Sequence, residues 1–364
     1  MTEQTEPVID LISRFVPAIL RGLHALEFAG RHLDPSTLTQ LIDAVRQQDH
    51  GLAALLDESR ALEWPDRLMP ARECLEESAG QTAEGIAALL AAPAEPQPIV
   101  AAYRALRTYA RAAEAIYPMA PHLKPVGRFF LEADCRDDAE LNARLAAADH
   151  ARDGVGAMHV NGPAGTRGAF SLYVPEYYDP ARTWPLVVAM HGGSGNGGAF
   201  LWSWVREARS RGIIVIAPTA IGATWSMLEP ETDGANIDEI VEQVAADWNL
   251  DSARRLLTGM SDGGTFTYVL GLRGGCSFTH LAPVAATFHP LLMSMADPGR
   301  VRGLPIHIVH GSHDWMFPPE MAQMARRSLA EAGADVIYRE IADLSHTYPR
   351  DENGRILDWF LGNR

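Results

Sequence analysis

Cysteine is scarce. The chain has three in 364 residues, Cys74, Cys135 and Cys276, odd in number and widely spaced. That spacing excludes a disulfide framework and points to a reducing compartment. Basic runs are absent too. Asp and Glu number 46 against 31 Lys and Arg, a net charge of −15. This balance argues against nucleic acid or an anionic membrane surface as a partner. No apolar run reaches the roughly 20 residues that a membrane span needs. The start, Met1-Thr2-Glu3-Gln4-Thr5-Glu6, is acidic and polar, unlike a secretory signal. Together these absences make the cytoplasm the expected location. What remains is an ordinary globular composition, 47% hydrophobic and 21% charged, with length enough for two domains.

Two textures divide the chain. The first 150 residues are rich in Ala, Leu, Glu and Arg with helical spacing of apolar positions. Val16, Ile19, Leu20, Leu23 and Leu26 share one helix face. Asp34-Pro35-Ser36-Thr37 reads as a helix start, and further helices are expected over 72–92 and 99–116. Proline-rich breaks lie at 93–98 and 117–121. From residue 151 strands alternate with helices, the pattern of an open, mostly parallel sheet with helices on both faces. Strands are expected at 169–174, 185–190, 213–217, 255–258, 281–285, 305–309 and 336–341. Helices are expected at 200–210, 237–248, after residue 261, at 319–333 and at the end of the chain. The domains are therefore expected as 1–150, α-helical, and 151–364, α/β.

The chemistry concentrates in the second part. Gly259-Met260-Ser261-Asp262-Gly263-Gly264 follows the apolar run Leu256-Leu257-Thr258 and precedes a helical stretch. A strand, a Gly-x-Ser-x-Gly turn and a helix project a serine hydroxyl from a tight turn, as a nucleophile requires. Serine is a poor nucleophile at neutral pH, so it needs a base, and the base needs an orienting acid. Behind such an elbow they follow in the order Ser…Asp/Glu…His. Asp314 lies in His310-Gly311-Ser312-His313-Asp314, after the strand at 305–309. His346 lies in Asp343-Leu344-Ser345-His346, after the last strand. Asp343 is the rival acid. Backbone N–H groups must also meet the developing oxyanion. Asp262, next to the serine, offers one. Gly193 offers the other, in His191-Gly192-Gly193-Ser194-Gly195-Asn196-Gly197-Gly198.

These pieces resemble an α/β-hydrolase of the esterase branch that includes polyhydroxybutyrate depolymerase-like, feruloyl esterase-like and phospholipase/carboxylesterase-like enzymes. The resemblance covers about 210 residues, from 154 to 364. It rests on Val187-Val188-Ala189-Met190-His191-Gly192-Gly193, Asp251-Ser252-Ala253-Arg254, the Ser261 elbow, His310–Asp314 and Ser345-His346. It implies an α/β-hydrolase fold and a carboxylic ester hydrolase with a Ser261–His346–Asp314 triad and an acyl-enzyme intermediate. No cofactor is implied, and the partner is a small-molecule or polymeric ester. The helical N-terminal domain lies outside the resemblance. A peptidase or amidase of the same fold would use the same triad. The helices of 1–150 could instead form a cap, an interaction surface or a homo-oligomer contact.

Blander readings compete at several positions. His310, His313 and Asp314 imitate a metal cluster, but no second ligand pair at suitable spacing accompanies them, so no metal is expected. The loop 192–198 lacks the lysine of a P-loop and the spacing of a dinucleotide loop. Trp202, Trp204, Trp225, Met227 and Met260 fall near loops of the catalytic edge and read mostly as packing. Trp315 and Phe317 directly follow the acid and are candidates to line a substrate pocket. His289, after the strand end at 286–288, is a further candidate.

Overall fold

A computed structural model describes residues 6–48 and 51–362; the acidic start at residues 1–5 lies outside them. The chain divides into two compact units, Met1–Asn142 and Ala143–Arg364. The division falls within the helix Ala139–Ala147, a few residues before the change of texture at 150.

The first unit is helical. Its main elements are Glu6–Arg31, Leu38–Arg46, Leu52–Ala61, Met69–Ala91, Pro98–Leu106, Thr108–Ile116 and Lys124–Phe129. The apolar stripe of the first helix is buried: Leu11, Phe15, Ile19 and Leu23 are fully inaccessible. The helices approach closely where side chains are small. A Cβ on Gly22 would lie 2.5 Å from Thr82 Cγ2, so the helices 6–31 and 69–91 meet backbone to side chain there. The expected single helix over 99–116 is broken at Arg107. Among the described residues no helix is long and apolar enough to cross a membrane.

The second unit is built on one eight-stranded sheet. Its strands are β1 (Gly156–Val160), β2 (Phe170–Val174), β3 (Trp184–Met190), β4 (Ile214–Pro218), β5 (Leu250–Met260), β6 (His280–Val284), β7 (Pro305–Gly311) and β8 (Asp335–Ile341). The order is β1-β2-β4-β3-β5-β6-β7-β8. β1 and β2 run antiparallel, and β4 through β8 run parallel with β3. β3 reads as a continuous apolar run because helices cover both faces; Leu186, Val187, Val188, Ala189 and Met190 are all inaccessible.

Chain order places β4 on one side of β3 and β5 on the other. The loops leaving β3 and β5 therefore diverge, and the crevice at their carboxyl ends is where such sheets bind ligands. β1 has too few buried positions to signal a strand in the sequence. The helix expected over 200–210 is two short ones, Gly197–Leu201 and Val205–Arg211.

Candidate active site

Ser261 sits at the turn between β5 and the helix Asp262–Gly271, with φ 57° and ψ −117°. A non-glycine residue in that region carries about 1–3 kcal/mol of strain, held in place by its surroundings. Both backbone ends of Ser261 are tied. Its N–H donates to the Val284 carbonyl of β6 at 2.9 Å, and its carbonyl accepts the Thr265 N–H at 2.8 Å. The flanking glycines follow from contact distance. A Cβ on Gly259 would lie 2.5 Å from the Gly263 carbonyl carbon, and one on Gly263 would lie 2.6 Å from the His191 carbonyl oxygen. Helix and strand can cross this closely only without side chains.

His346 reaches the serine from the loop after β8, with Nε2 3.0 Å from Ser261 Oγ. Its Nδ1 lies 2.8 Å and 3.0 Å from the two carboxylate oxygens of Asp314. All three side chains are buried. Two backbone bonds zip the acid loop to the histidine loop: Ser312 N–H to the Ile341 carbonyl and His313 N–H to the Leu344 carbonyl, both 2.9 Å. That zipper brings together residues 32 apart in sequence. The Asp314 carboxylate is also fixed by its own turn, accepting the N–H groups of Met316 at 3.0 Å and Phe317 at 2.8 Å. Asp343, the rival acid, is exposed. His310 is fully buried and donates from Nε2 to the Phe317 carbonyl at 2.7 Å, which steadies the acid loop from beneath.

The glycine loop after β3 faces the serine. A Cβ on Gly192 would be 3.5 Å from Ser261 Cβ, and one on Gly193 would be 2.7 Å from Asp262 Oδ2. The Asp262 N–H opens its helix and has no carbonyl one turn earlier to bond. The loop after β4 braces both arms. Ala223 accepts the Ser194 N–H at 3.3 Å, and Thr224 Oγ1 donates to Asp262 Oδ2 at 2.5 Å. His191, next to the loop, is clamped three ways. Its Nε2 accepts the Ala220 N–H at 3.1 Å, its Nδ1 donates to the Gly192 carbonyl at 2.7 Å, and its carbonyl accepts Trp225 Nε1 at 2.8 Å. Burial pushes the His191 imidazole down to about 4, so it is neutral and able to accept. Asp233, itself buried, holds the brace by accepting the N–H groups of Ile221 at 2.9 Å and Ser226 at 2.8 Å.

The remaining expected residues are placed unevenly. Phe317 stands edge-on to the His346 ring, 5.1 Å between centroids, so it lines the histidine. Trp315 is 48% exposed on the same loop. His289 is exposed, and its Nδ1 accepts the Leu291 N–H at 3.2 Å, at the start of the short helix Leu291–Met295. Trp202, Trp204 and Trp225 are buried packing residues. Among the described residues no group of three or more His, Cys, Asp or Glu side chains is arranged to hold a metal ion. Asp233 and Thr224 did not stand out in the sequence. Their partners are backbone groups and one distant carboxylate, which leave no spacing pattern.

Comparisons with known proteins give partial matches. The chain is 32% identical over 156 residues to feruloyl esterase C of Emericella nidulans, covering 41% of this chain and 56% of that protein. It is 35% identical over 156 residues to a probable feruloyl esterase C of Aspergillus niger, with the same coverage. The chain thus spans little more than half the length of these relatives. A thermostable esterase of known structure matches at a TM-score of 0.47 with 25% identity, covering 57% of this chain and 62% of that one. No family model matches the chain. The sheet order, the strand–serine–helix turn and the loops that meet at the carboxyl ends of β3, β5, β7 and β8 give residues 143–364 the α/β-hydrolase fold.

Proposed function

We propose that this chain is a serine carboxylesterase acting through Ser261, His346 and Asp314. The observation that carries the reading is the continuous chain of contacts from Asp314 through His346 Nδ1 and Nε2 to Ser261 Oγ, all within 3.0 Å. His346 takes the Ser261 proton as the hydroxyl oxygen attacks the ester carbonyl. Asp314 holds the Nδ1–H tautomer and stabilises the imidazolium that forms. The N–H groups of Gly193 and Asp262 receive the oxyanion. His346 then returns the proton to the leaving alkoxide, leaving an acyl group on Ser261. Water, deprotonated by His346, releases the acid and restores the serine.

The relatives are named for feruloyl esters, and an aromatic acyl group suits Phe317 beside His346 and Trp315 on the same loop. We propose methyl hydroxycinnamates as the first substrates to assay, alongside p-nitrophenyl butyrate. Ser261→Ala should remove turnover of both and abolish labelling by a fluorophosphonate. Wild-type-like hydrolysis by that variant would refute the assignment. The matched anilide should be cleaved far more slowly than the ester; equal rates would make the enzyme an amidase. The three cysteines are free thiols, which supports placing the enzyme in a reducing compartment.

A further inference from the structure

The helical unit 6–142 contains a cavity of about 390 Å³ whose chemistry runs against that of the chain as a whole. The cavity is open to solvent, and Leu20, Pro125 and Phe129 are its apolar lining, with Lys124, Arg128 and Arg136 beside them. Three cations therefore converge on one cavity in a chain with 46 acidic and 31 basic side chains. The carboxylate seen to bond them is Asp137, 2.8 Å from Arg128 Nη1 with its side chain 86% exposed. Lys124 and Arg136 have no carboxylate within ion-pair distance among the described residues. The cations Arg128, Lys124 and Arg136 together hold the Asp137 carboxyl below its ordinary range. His24, also at the cavity, is committed to Glu27 at 3.0 Å and packs against the Phe129 ring.

The two arginines are set in place before any ligand arrives. Arg128 Nη1 donates to the Arg136 carbonyl at 3.0 Å, and Arg136 Nε donates to the Arg128 carbonyl at 3.1 Å and the Leu131 carbonyl at 3.3 Å. Each guanidinium is thus latched to the other's backbone. Holding like charges together is unfavourable, and the exposed Asp137 carboxylate offsets this chiefly at Arg128. A latched guanidinium fits a carboxylate with two parallel N–H donors and loses little side-chain freedom in doing so. The volume lies at the small end of ordinary ligand sites, enough for an aryl or short acyl group.

We infer that this cavity is a binding site for an amphiphilic monocarboxylate, its apolar body on Leu20 and Phe129 and its carboxylate on Arg136 and Lys124. The site belongs to the helical unit alone and does not depend on the esterase reading, although a carboxylate of this kind is what ester hydrolysis releases.

Titration calorimetry on the full chain with trans-cinnamate tests it. Cinnamate should bind with a Kd below about 1 mM, and cinnamyl alcohol, which has the ring without the charge, at least about tenfold more weakly. Arg136→Gln should weaken cinnamate about tenfold or more, the usual loss for a charge-assisted pair. Lys124→Gln, an exposed position, should weaken it several-fold with the melting temperature unchanged, which keeps the test valid should Arg136→Gln disturb the fold. Both variants should hydrolyse esters at the wild-type rate, so a binding signal that belongs to the catalytic serine would persist in them. Unchanged cinnamate binding in both variants overturns the inference. So does equal binding of cinnamyl alcohol, or inorganic phosphate binding as tightly as cinnamate, which would leave the apolar lining without a role.

Discussion

His307 provides a quantitative test of how burial shapes this protein. It lies on β7, 5% exposed, with its ring edge-on to Trp359 at 5.3 Å. Neither ring nitrogen has a hydrogen-bond partner among the described residues. Burial, partly opposed by Glu352 and aided by a lesser push from Arg339, brings its imidazole down to about 4. The folded chain therefore holds it neutral, while the unfolded chain protonates it near 6.5. A folded value below the unfolded one gives stability that is complete above about pH 6.5. That stability is lost as pH falls toward 4. At pH 5 the unfolded state already carries the proton and the folded state mostly does not, so the loss is about 2 kcal/mol. His307→Leu removes this term, together with two unsatisfied nitrogens, and should be neutral or stabilising at pH 8. Urea unfolding of the full chain, followed by tryptophan fluorescence, should show the variant gaining about 2 kcal/mol on the wild type between pH 8 and pH 5. His191, buried and brought to about 4 in the same way, adds its own acid loss to both proteins and cancels in the difference. Parallel pH profiles for variant and wild type would refute the argument.

Three further outcomes follow from the site geometry. Asp314→Asn should lower kcat by about 10³–10⁴, whereas Asp343→Asn, at an exposed position, should leave it within about twofold; ester kinetics on the two proteins decide which carboxylate serves. Asp233→Ala releases the brace behind Gly193 and Asp262 and should lower kcat by about tenfold to a hundredfold with KM little changed. A rise in KM at constant kcat would instead assign Asp233 to substrate binding. Gly263→Ala puts a methyl group 2.6 Å from the His191 carbonyl oxygen and should destabilise the unit 143–364 by several kcal/mol, read as a lowered urea midpoint.

Much of this site could be read in advance because its chemistry is written in side chains at strand ends. β3 and β7 are mostly apolar, β5 carries the apolar pair Leu256-Leu257 near its end and β8 carries Val336, Ile337 and Ile341, and each is followed by a loop with a distinctive residue: Gly193, Ser261, Asp314 and His346. Period and order were enough to align them, and the geometry joins Ser261, His346 and Asp314 within hydrogen-bond distance. Asp314 is preferred to Asp343 in the sequence because it follows the strand at 305–309, but the contact that joins it to His346 is visible only in three dimensions. Asp343 is closer to His346 in sequence, but the bonds from Ser312 to Ile341 and from His313 to Leu344 bring the β7 loop against the histidine. Neither bond involves a side chain, so no residue type announces it. Helix breaks were missed for a similar reason. Arg107 interrupts a run whose apolar spacing is uninterrupted, and the next helix begins at Thr108, where a Cβ on Gly85 would collide with Thr108 Oγ1.

The loop after β4 shows where sequence reasoning meets its physical boundary. Most of its hydrogen bonds to the surrounding site use a backbone group on one side or both. Backbone groups are the same at every position, so they carry no compositional signal. Yet this loop fixes the two N–H groups proposed to meet the oxyanion: Ala223 steadies the arm that carries Gly193, and Thr224 steadies Asp262. The strained turn at Ser261 has the same character, because a φ of 57° is maintained by the bonds to Val284 and Thr265 rather than by the serine itself. The side chains that do the proposed chemistry can be found by type and order. The force that holds them within tenths of an ångström comes from main-chain contacts set by the sheet, and it is there, at Asp233 and along the 219–226 loop, that substitutions remote from the triad should change the rate.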